Sequence, residues 1–227
     1  MGDKIKGDMI KIDCPDGHQV DGYLAEADAP KGAVIVIQEW WGLNEQIKRT
    51  ADRFAAAGYT ALAPDLYEGR IAGDADEANH IMTNLDWVGA VTQEVRGAAQ
   101  LLKAKGLKVC VMGFCMGGAL TIISGVKLDE CDVAVCYYGI PPQEQADPKE
   151  MRVPFQGHFA TQDDWCTPEA VGQLEEELKQ SPAPVVELHR YEAQHAFFNE
   201  SVDAYDKNAA ETSWGRTIAF LEKHLAG

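Results

Sequence analysis

One cysteine between two glycines is the residue of this chain whose surroundings point most directly to chemistry. It lies in Gly113-Phe114-Cys115-Met116-Gly117, directly after the apolar run 109–112. A strand that breaks at Gly-x-Cys-x-Gly and continues as a helix is the layout of a nucleophile elbow, with cysteine in place of serine. The glycines remove side chains that would clash with the strained turn, and the helix N-terminus favours a thiolate. We predict that Cys115 is a nucleophile; the alternative is a buried cysteine in a glycine-rich turn.

A cysteine nucleophile needs a base within hydrogen-bond reach and a third group that orients the base. Of the six histidines, His195 follows the last predicted strand, where chain order places the base. The acid belongs in the loop after the preceding strand, which contains the adjacent Asp163 and Asp164. Counting from the strand end at Ala160 favours Asp163, whereas counting back from Pro168 favours Asp164. We predict Asp163 as the acid.

A second acid, Glu39, directly follows the apolar run 33–37. Ligands of open α/β sheets bind at the carboxyl ends of the strands, so this position predicts a site residue; the alternative is a solvated loop acid. The adjacent tryptophans Trp40 and Trp41 favour a pocket wall. With Trp165 and Phe198, they predict an apolar, aromatic rim around the substrate.

The elements that position these residues alternate along the chain. Residues 8–13 and 20–25 alternate in strand fashion around a Pro-Asp-Gly turn and predict an antiparallel hairpin. Buried strands are predicted at 33–37, 59–63, 108–112, 132–138, 153–159 and 184–191. Helices are predicted at 44–57, 74–84, 87–104, 115–126, 167–180 and 203–225. This alternation predicts an α/β fold with a mostly parallel, doubly wound sheet, and the length fits one domain over 1–227.

The composition excludes several classes of partner. The chain has 20 basic and 36 acidic residues, a formal charge of −16, which argues against binding to nucleic acid or an anionic membrane. Its six cysteines show neither Cys-x-x-Cys pairs nor zinc-ligand spacing, so no metal site is predicted. We see neither a signal peptide nor a membrane-spanning run. These features predict a reduced, cytoplasmic protein, a monomer or small homo-oligomer, acting on a small molecule.

Six segments in this order form a specific combination: Gln38-Glu39-Trp40-Trp41-Gly42-Leu43, Ala63-Pro64-Asp65-Leu66-Tyr67, Gly113-Phe114-Cys115-Met116-Gly117-Gly118, Tyr137-Tyr138-Gly139, His158-Phe159-Ala160 with the acids after it, and the stretch 192–197 around His195. The combination, which spans nearly the whole chain, resembles the dienelactone hydrolase family. The resemblance implies a single-domain α/β-hydrolase fold, a Cys115–His195–Asp163 triad and no cofactor. It also implies hydrolysis of a small lactone or ester through an acyl-cysteine intermediate.

The resemblance further implies roles for residues around the thiol. Glu39 would interact with the Cys115 thiol in the resting site and leave it when substrate binds, because a neighbouring carboxylate disfavours thiolate. The backbone N–H groups of Met116 and Trp40 would stabilise the oxyanion.

One departure from the family concerns the substrate. The best-known members hold the substrate carboxylate with two arginines, one of them four residues after the histidine. Here that substrate-binding position is Asn199, the segment 74–85 contains no arginine, and Arg70 is the nearest cation in sequence. We therefore expect neutral lactones or esters as substrates. The alternatives are a carboxylesterase or thioesterase of the same fold, or a non-catalytic redox sensor that uses Cys115.

Overall fold

The computed structural model describes residues 6–225, and its eight strands form one sheet in the order β1-β2-β4-β3-β5-β6-β7-β8. The strands are β1 (Asp8–Asp13), β2 (Gln19–Ala25), β3 (Ala33–Ile37), β4 (Thr60–Pro64), β5 (Val109–Phe114), β6 (Val133–Tyr137), β7 (Phe155–Gln162) and β8 (Val186–Gln194). β2 pairs antiparallel with β1 and β4, and the pairings from β4 through β8 are parallel. The predicted hairpin and mostly parallel sheet are confirmed.

Helices flank the sheet, and three of them begin at predicted caps. They are α1 (Glu45–Ala56), α2 (Ala75–Asn84), α3 (Trp87–Ala90), α4 (Arg96–Ala104), α5 (Met116–Lys127), α6 (Pro168–Leu178) and α7 (Lys207–His224). Asn44, Asp74 and Thr167 each accept the backbone N–H three residues later, at 3.2, 2.9 and 3.3 Å, which satisfies a donor that the first helical turn leaves free. Within residues 6–225, no helix is both long enough and apolar enough to cross a membrane.

Several elements differ from the prediction, and β7 ends at Gln162 rather than 159. The helix predicted over 87–104 contains a π-helical turn (Val91–Val95) that joins α3 to α4. The last helix begins at Lys207 rather than 203, because Asp206 caps it by accepting the Ala209 N–H at 2.8 Å. β8 continues past 191 to Gln194, so that His195 directly follows the strand.

The core lies on both faces of the sheet and fixes where the strands end. Along β3, Ile35 and Ile37 pack into one buried cluster, whereas Val34 and Val36 pack into the cluster on the other face. This two-sided burial explains the continuous apolar runs of the central strands. The carboxyl ends of parallel strands share one edge, so the loops after β3, β5, β7 and β8 meet there.

Candidate active site

Cys115 lies between β5 and α5 in a strained backbone conformation. Its φ is 56° and its ψ −116°, a region that residues with a side chain seldom adopt. A Cβ on Gly113 would lie 2.3 Å from the Gly117 carbonyl oxygen, and a Cβ on Gly117 would lie 2.5 Å from that of Gln38. Both glycines are thus required by the close approach of the backbones. The Cys115 thiol is half-buried, whereas the other five cysteines are buried.

His195 is paired with one of the two adjacent aspartates. His195 Nδ1 lies 2.7 Å from Asp163 Oδ2, and Asp163 is buried whereas Asp164 is exposed. The other oxygen, Asp163 Oδ1, accepts the backbone N–H groups of Trp165 and Cys166 at 2.7 and 2.9 Å. The loop after β7 therefore holds the Asp163 carboxylate in place against the imidazole.

The electrostatics of this pair favour a charged carboxylate and a protonated imidazole. Burial raises the pKa of Asp163, but the hydrogen bond with His195 and the two backbone N–H groups together bring the pKa below its ordinary value. Burial lowers the pKa of His195, yet the hydrogen bond with Asp163 and the interaction with the nearby Cys115 sulfur in its ionised form raise it to about 10. His195 Nε2 has no hydrogen-bond partner among the protein groups of residues 6–225. This nitrogen is thus available to exchange a proton with a reacting group.

Two cavities of about 220 and 110 Å³ meet at Cys115, Trp165 and His195. The larger cavity is also lined by Glu39, Trp40, Trp41, Ala196, Val202 and Ala204. The smaller cavity is also lined by Met82, Trp87, Met116, Ala119, Tyr138, Gly139, Ile140 and Cys166. Within the described part of the chain, neither lining includes a lysine or arginine, and no group of three His, Cys, Asp or Glu side chains is placed to hold a metal ion.

Three of the four aromatic side chains predicted to form the rim line the larger cavity. The Trp40 ring meets those of Trp41 and Trp165 edge-on, with centroid distances of 5.3 and 5.6 Å. Phe198 does not line either of the two cavities; it is buried and stacks on Phe114 at 5.0 Å. The fourth aromatic ring therefore packs in the apolar cluster beneath the site and not at the cavity rim.

Glu39 is buried, and both of its carboxylate oxygens accept hydrogen bonds. Asn199 Nδ2 donates to Oε2 at 2.7 Å, and the Tyr138 hydroxyl donates to Oε1 at 3.2 Å. Burial raises the pKa of Glu39, although the bond from Asn199, the charge of His195 and the bond from Tyr138 act in the opposite direction. No hydrogen bond joins Glu39 to Cys115 among residues 6–225. The resting contact that the resemblance implies is absent from this structure.

The two residues considered for binding a substrate carboxylate also lie away from the cavities. Asn199 is 1% exposed and contacts Glu39 instead. Arg70 is exposed, and its Nε donates to the Tyr67 carbonyl at 3.3 Å. The structure therefore brings neither side chain to the cavity walls.

Two backbone N–H groups, those of Met116 and Trp40, were predicted to stabilise the oxyanion. Met116 is the first residue of α5, and Trp40 follows Glu39. Neither N–H donates to a protein acceptor in the described part of the chain.

Sequence reasoning gave no role to Tyr138, which contacts Glu39. The strand predicted at 132–138 included Tyr138, whereas β6 ends at Tyr137; the rule that identified Glu39, a residue just after a buried strand, applies to Tyr138 only with this shorter strand.

Comparisons with known proteins agree with this fold. The model of the dienelactone hydrolase family matches residues 20–225. "Protein usf" of Aquifex pyrophilus is 33% identical over 233 residues, which cover 96% of this chain and 99% of that protein. A carboxymethylenebutenolidase of Pseudomonas putida is 29% identical, with 93% and 94% covered. An esterase structure from Pyrococcus furiosus, 15% identical, superposes with a TM-score of 0.73 over 97% of this chain and 94% of that one.

A match that spans most of the chain, together with a relative of 33% identity over nearly its full length, establishes the family. The chain therefore belongs to the dienelactone hydrolase family, has the α/β-hydrolase fold, and is a hydrolase of ester bonds.

Proposed function

We propose that the protein hydrolyses small, uncharged esters or lactones, with Cys115 as nucleophile and His195 and Asp163 as its base and acid. The observation that carries the proposal is the 2.7 Å contact between His195 Nδ1 and Asp163 Oδ2. It leaves Nε2 without a protein partner in the described residues, beside a strained cysteine that opens into the same cavities. A thiol sensor would not need an oriented acid–base pair, so this contact favours hydrolysis over redox sensing.

The reaction follows from the roles of these groups. His195 Nε2 takes the thiol proton, which gives the imidazolium that the electrostatics of the pair favour, and the resulting thiolate of Cys115 attacks the carbonyl carbon. The negative charge on the carbonyl oxygen is stabilised by the backbone N–H groups of Met116 and Trp40, and Asp163 stabilises the imidazolium. The C–O bond then breaks, His195 returns its proton to the leaving oxygen, and an acyl-cysteine remains. Water then attacks the acyl carbon as His195 Nε2 takes one of its protons; the C–S bond breaks, the acid leaves, and His195 returns that proton to the sulfur of Cys115.

The cavity walls support an uncharged substrate. Tryptophans and small aliphatic side chains form most of the larger lining, and its ionisable members are Glu39, Cys115 and His195. A carboxylate taken into such a cavity would lose its hydration without meeting a lysine or arginine, and the His195 cation is already paired with Asp163, so the transfer is costly. A neutral ester or lactone carries no such penalty.

Turnover of a chromogenic ester tests the proposal. We expect Cys115→Ala to abolish turnover and Cys131→Ala, which changes a buried cysteine elsewhere in the core, to retain it. After rapid acid quenching, mass spectrometry should place the acyl group on the peptide that contains Cys115. Undiminished turnover by Cys115→Ala, or an acyl group on another cysteine, would contradict the proposed mechanism.

The proposal includes the setting in which the protein acts. All eight strands share one sheet, which supports one domain over 1–227. The six cysteines are free, and a reacting thiol must stay reduced. We therefore propose the cytoplasm, a reducing compartment, as the location.

A further inference from the structure

Asn199 lies beneath the candidate active site and reaches it through Glu39. Its Nδ2 donates to Glu39 Oε2 at 2.7 Å, across 160 residues of chain. Its Oδ1 accepts the backbone N–H of Ser201 at 2.9 Å. Because an amide oxygen accepts and an amide nitrogen donates, the bond from Ser201 fixes the orientation of the amide. The donor of Asn199 is thereby directed at the carboxylate.

Tyr138 donates a hydrogen bond to the second carboxylate oxygen of Glu39. Its hydroxyl donates to Oε1 at 3.2 Å, and its backbone N–H donates to the His158 carbonyl at 2.8 Å. Its φ of 37° is unusual for an aromatic residue, so the turn after β6 holds it in a strained conformation. Asn199 and Tyr138 together give the Glu39 carboxylate two donors, neither of which is the thiol.

Glu39 and Cys115 line the same cavity, so the position of the carboxylate matters to the thiol. A buried carboxylate that loses a donor must find another, and the Cys115 S–H is a donor that this cavity offers. A thiol that donates to a carboxylate keeps its proton and cannot attack. The other ionisable groups near Cys115 are Tyr67, Tyr138, Cys166 and His195.

We propose that Asn199 is a positioning residue that keeps Glu39 away from Cys115 in the substrate-free protein, so that the thiol is ready to react before any substrate binds. Asn199 lines neither cavity and acts only through the carboxylate. The inference rests on the proposed function in one respect, that Cys115 is the reacting group.

Alkylation of Cys115 by iodoacetamide, without any ester present, tests the proposal. The thiolate displaces iodide and forms a thioether, so the rate at each pH reports the fraction of reactive thiol; mass spectrometry of the Cys115 peptide identifies the product. In Asn199→Asp, the side chain keeps its size and its acceptor for Ser201 but loses the donor to Glu39. We expect alkylation at pH 7 to be about tenfold slower and its half-maximal pH to rise by about one unit. Asn199→Leu should shift the profile in the same direction.

A double variant provides the matched control. In E39Q/N199D the amide is at position 39 and the carboxylate at position 199, so the hydrogen bond is rebuilt with donor and acceptor exchanged. We expect its alkylation rate to return to within about threefold of the wild type. This rescue separates an effect that acts through residue 39 from a loss of packing at residue 199, which the exchange does not repair.

The outcomes are distinct from those that test the proposed function. Wild-type alkylation profiles in both N199D and N199L, or a double variant no faster than N199D, would overturn the role of Asn199. A lower melting temperature with an unshifted profile would also overturn it, because that result describes a residue needed only for folding. Ester turnover by Cys115→Ala would instead contradict the proposed function. It would not contradict the role of Asn199, because alkylation is measured without an ester.

Discussion

At the scale of single residues, the pairing of His195 with Asp163 carries most of the proposed chemistry. Asp163 is held by two backbone N–H groups as well as by the imidazole, whereas its neighbour Asp164 is exposed. A carboxylate held in this way orients the imidazole and stabilises its cation. We therefore expect the two adjacent acids to contribute unequally to turnover, so that one serves as the control for the other.

We predict that Asp163→Asn lowers kcat by a factor on the order of 10⁴, the loss found for the corresponding change in a serine protease. The amide cannot stabilise the imidazolium, and it favours the wrong tautomer of His195. Asp164→Asn should stay within a few fold of the wild type, because that side chain has no part in the pair. Both kcat values are measured with one chromogenic ester, and equal losses in the two variants would contradict the assignment.

Sequence reasoning located the residues that we propose to react, but it did not predict the contacts of Glu39. Cys115 was found because two glycines mark the turn, and His195 because chain order and the preceding strand mark its place. The bond between Asn199 and Glu39 joins positions 160 apart, and no local pattern encodes such a contact. Phe198 was misplaced for a related reason, since an aromatic residue fits a pocket rim and a buried cluster equally well in sequence.

At the scale of elements, the boundaries that sequence predicts well are those with a chemical signal. The caps Asn44, Asp74 and Thr167 mark helix starts correctly. The start of α7 was placed four residues early, because Asp206 has no proline or capping box beside it to distinguish it from Asp203. The π turn within 87–104 also has no specific sequence signal: three of its five residues are β-branched, which lowers helix propensity but does not distinguish a π turn from an α-helix.

The elbow gives a prediction about stability that belongs to this scale. A Cβ on Gly117 would lie 2.5 and 2.6 Å from the carbonyl oxygens of Gln38 and Ile37, so β3 and α5 would have to separate. We expect Gly117→Ala to lower the free energy of unfolding by about 1–3 kcal/mol, the usual cost of overpacking. The midpoint and slope of urea unfolding measure the loss.

Gly215 in α7 provides the matched control, because a Cβ there would meet no atom within 4 Å. Gly215→Ala should raise the free energy of unfolding by about 0.5–1 kcal/mol, since alanine loses less conformational entropy in a helix. Equal stability of the Gly117→Ala variant and the wild type would show that the close backbone contact at the elbow is not required.

At the scale of the whole molecule, net charge and cavity lining act in the same direction on substrate choice. The chain carries a formal charge of −16, so the approach of an anionic substrate is opposed by a long-range field that salt screens. Inside the cavities of the described protein, the lining contains no lysine or arginine that would offset the repulsion. Both effects favour a neutral ester or lactone.

We predict that kcat/KM for a lactone is at least as high as that for the same lactone carrying a carboxylate. Added salt should raise only the value for the carboxylated member, because screening removes a repulsion that the neutral one does not experience.

Val202→Arg would place a cation at the wall of the larger cavity. We expect it to raise kcat/KM for the carboxylated lactone roughly ten- to a hundredfold, the equivalent of one charge-assisted hydrogen bond. Val202→Met, of similar length but uncharged, is the control and should leave the ratio of the two substrates unchanged. A strong preference of the wild type for the carboxylated lactone would contradict this account, because it would require a cation such as Arg70 to reach the cavity.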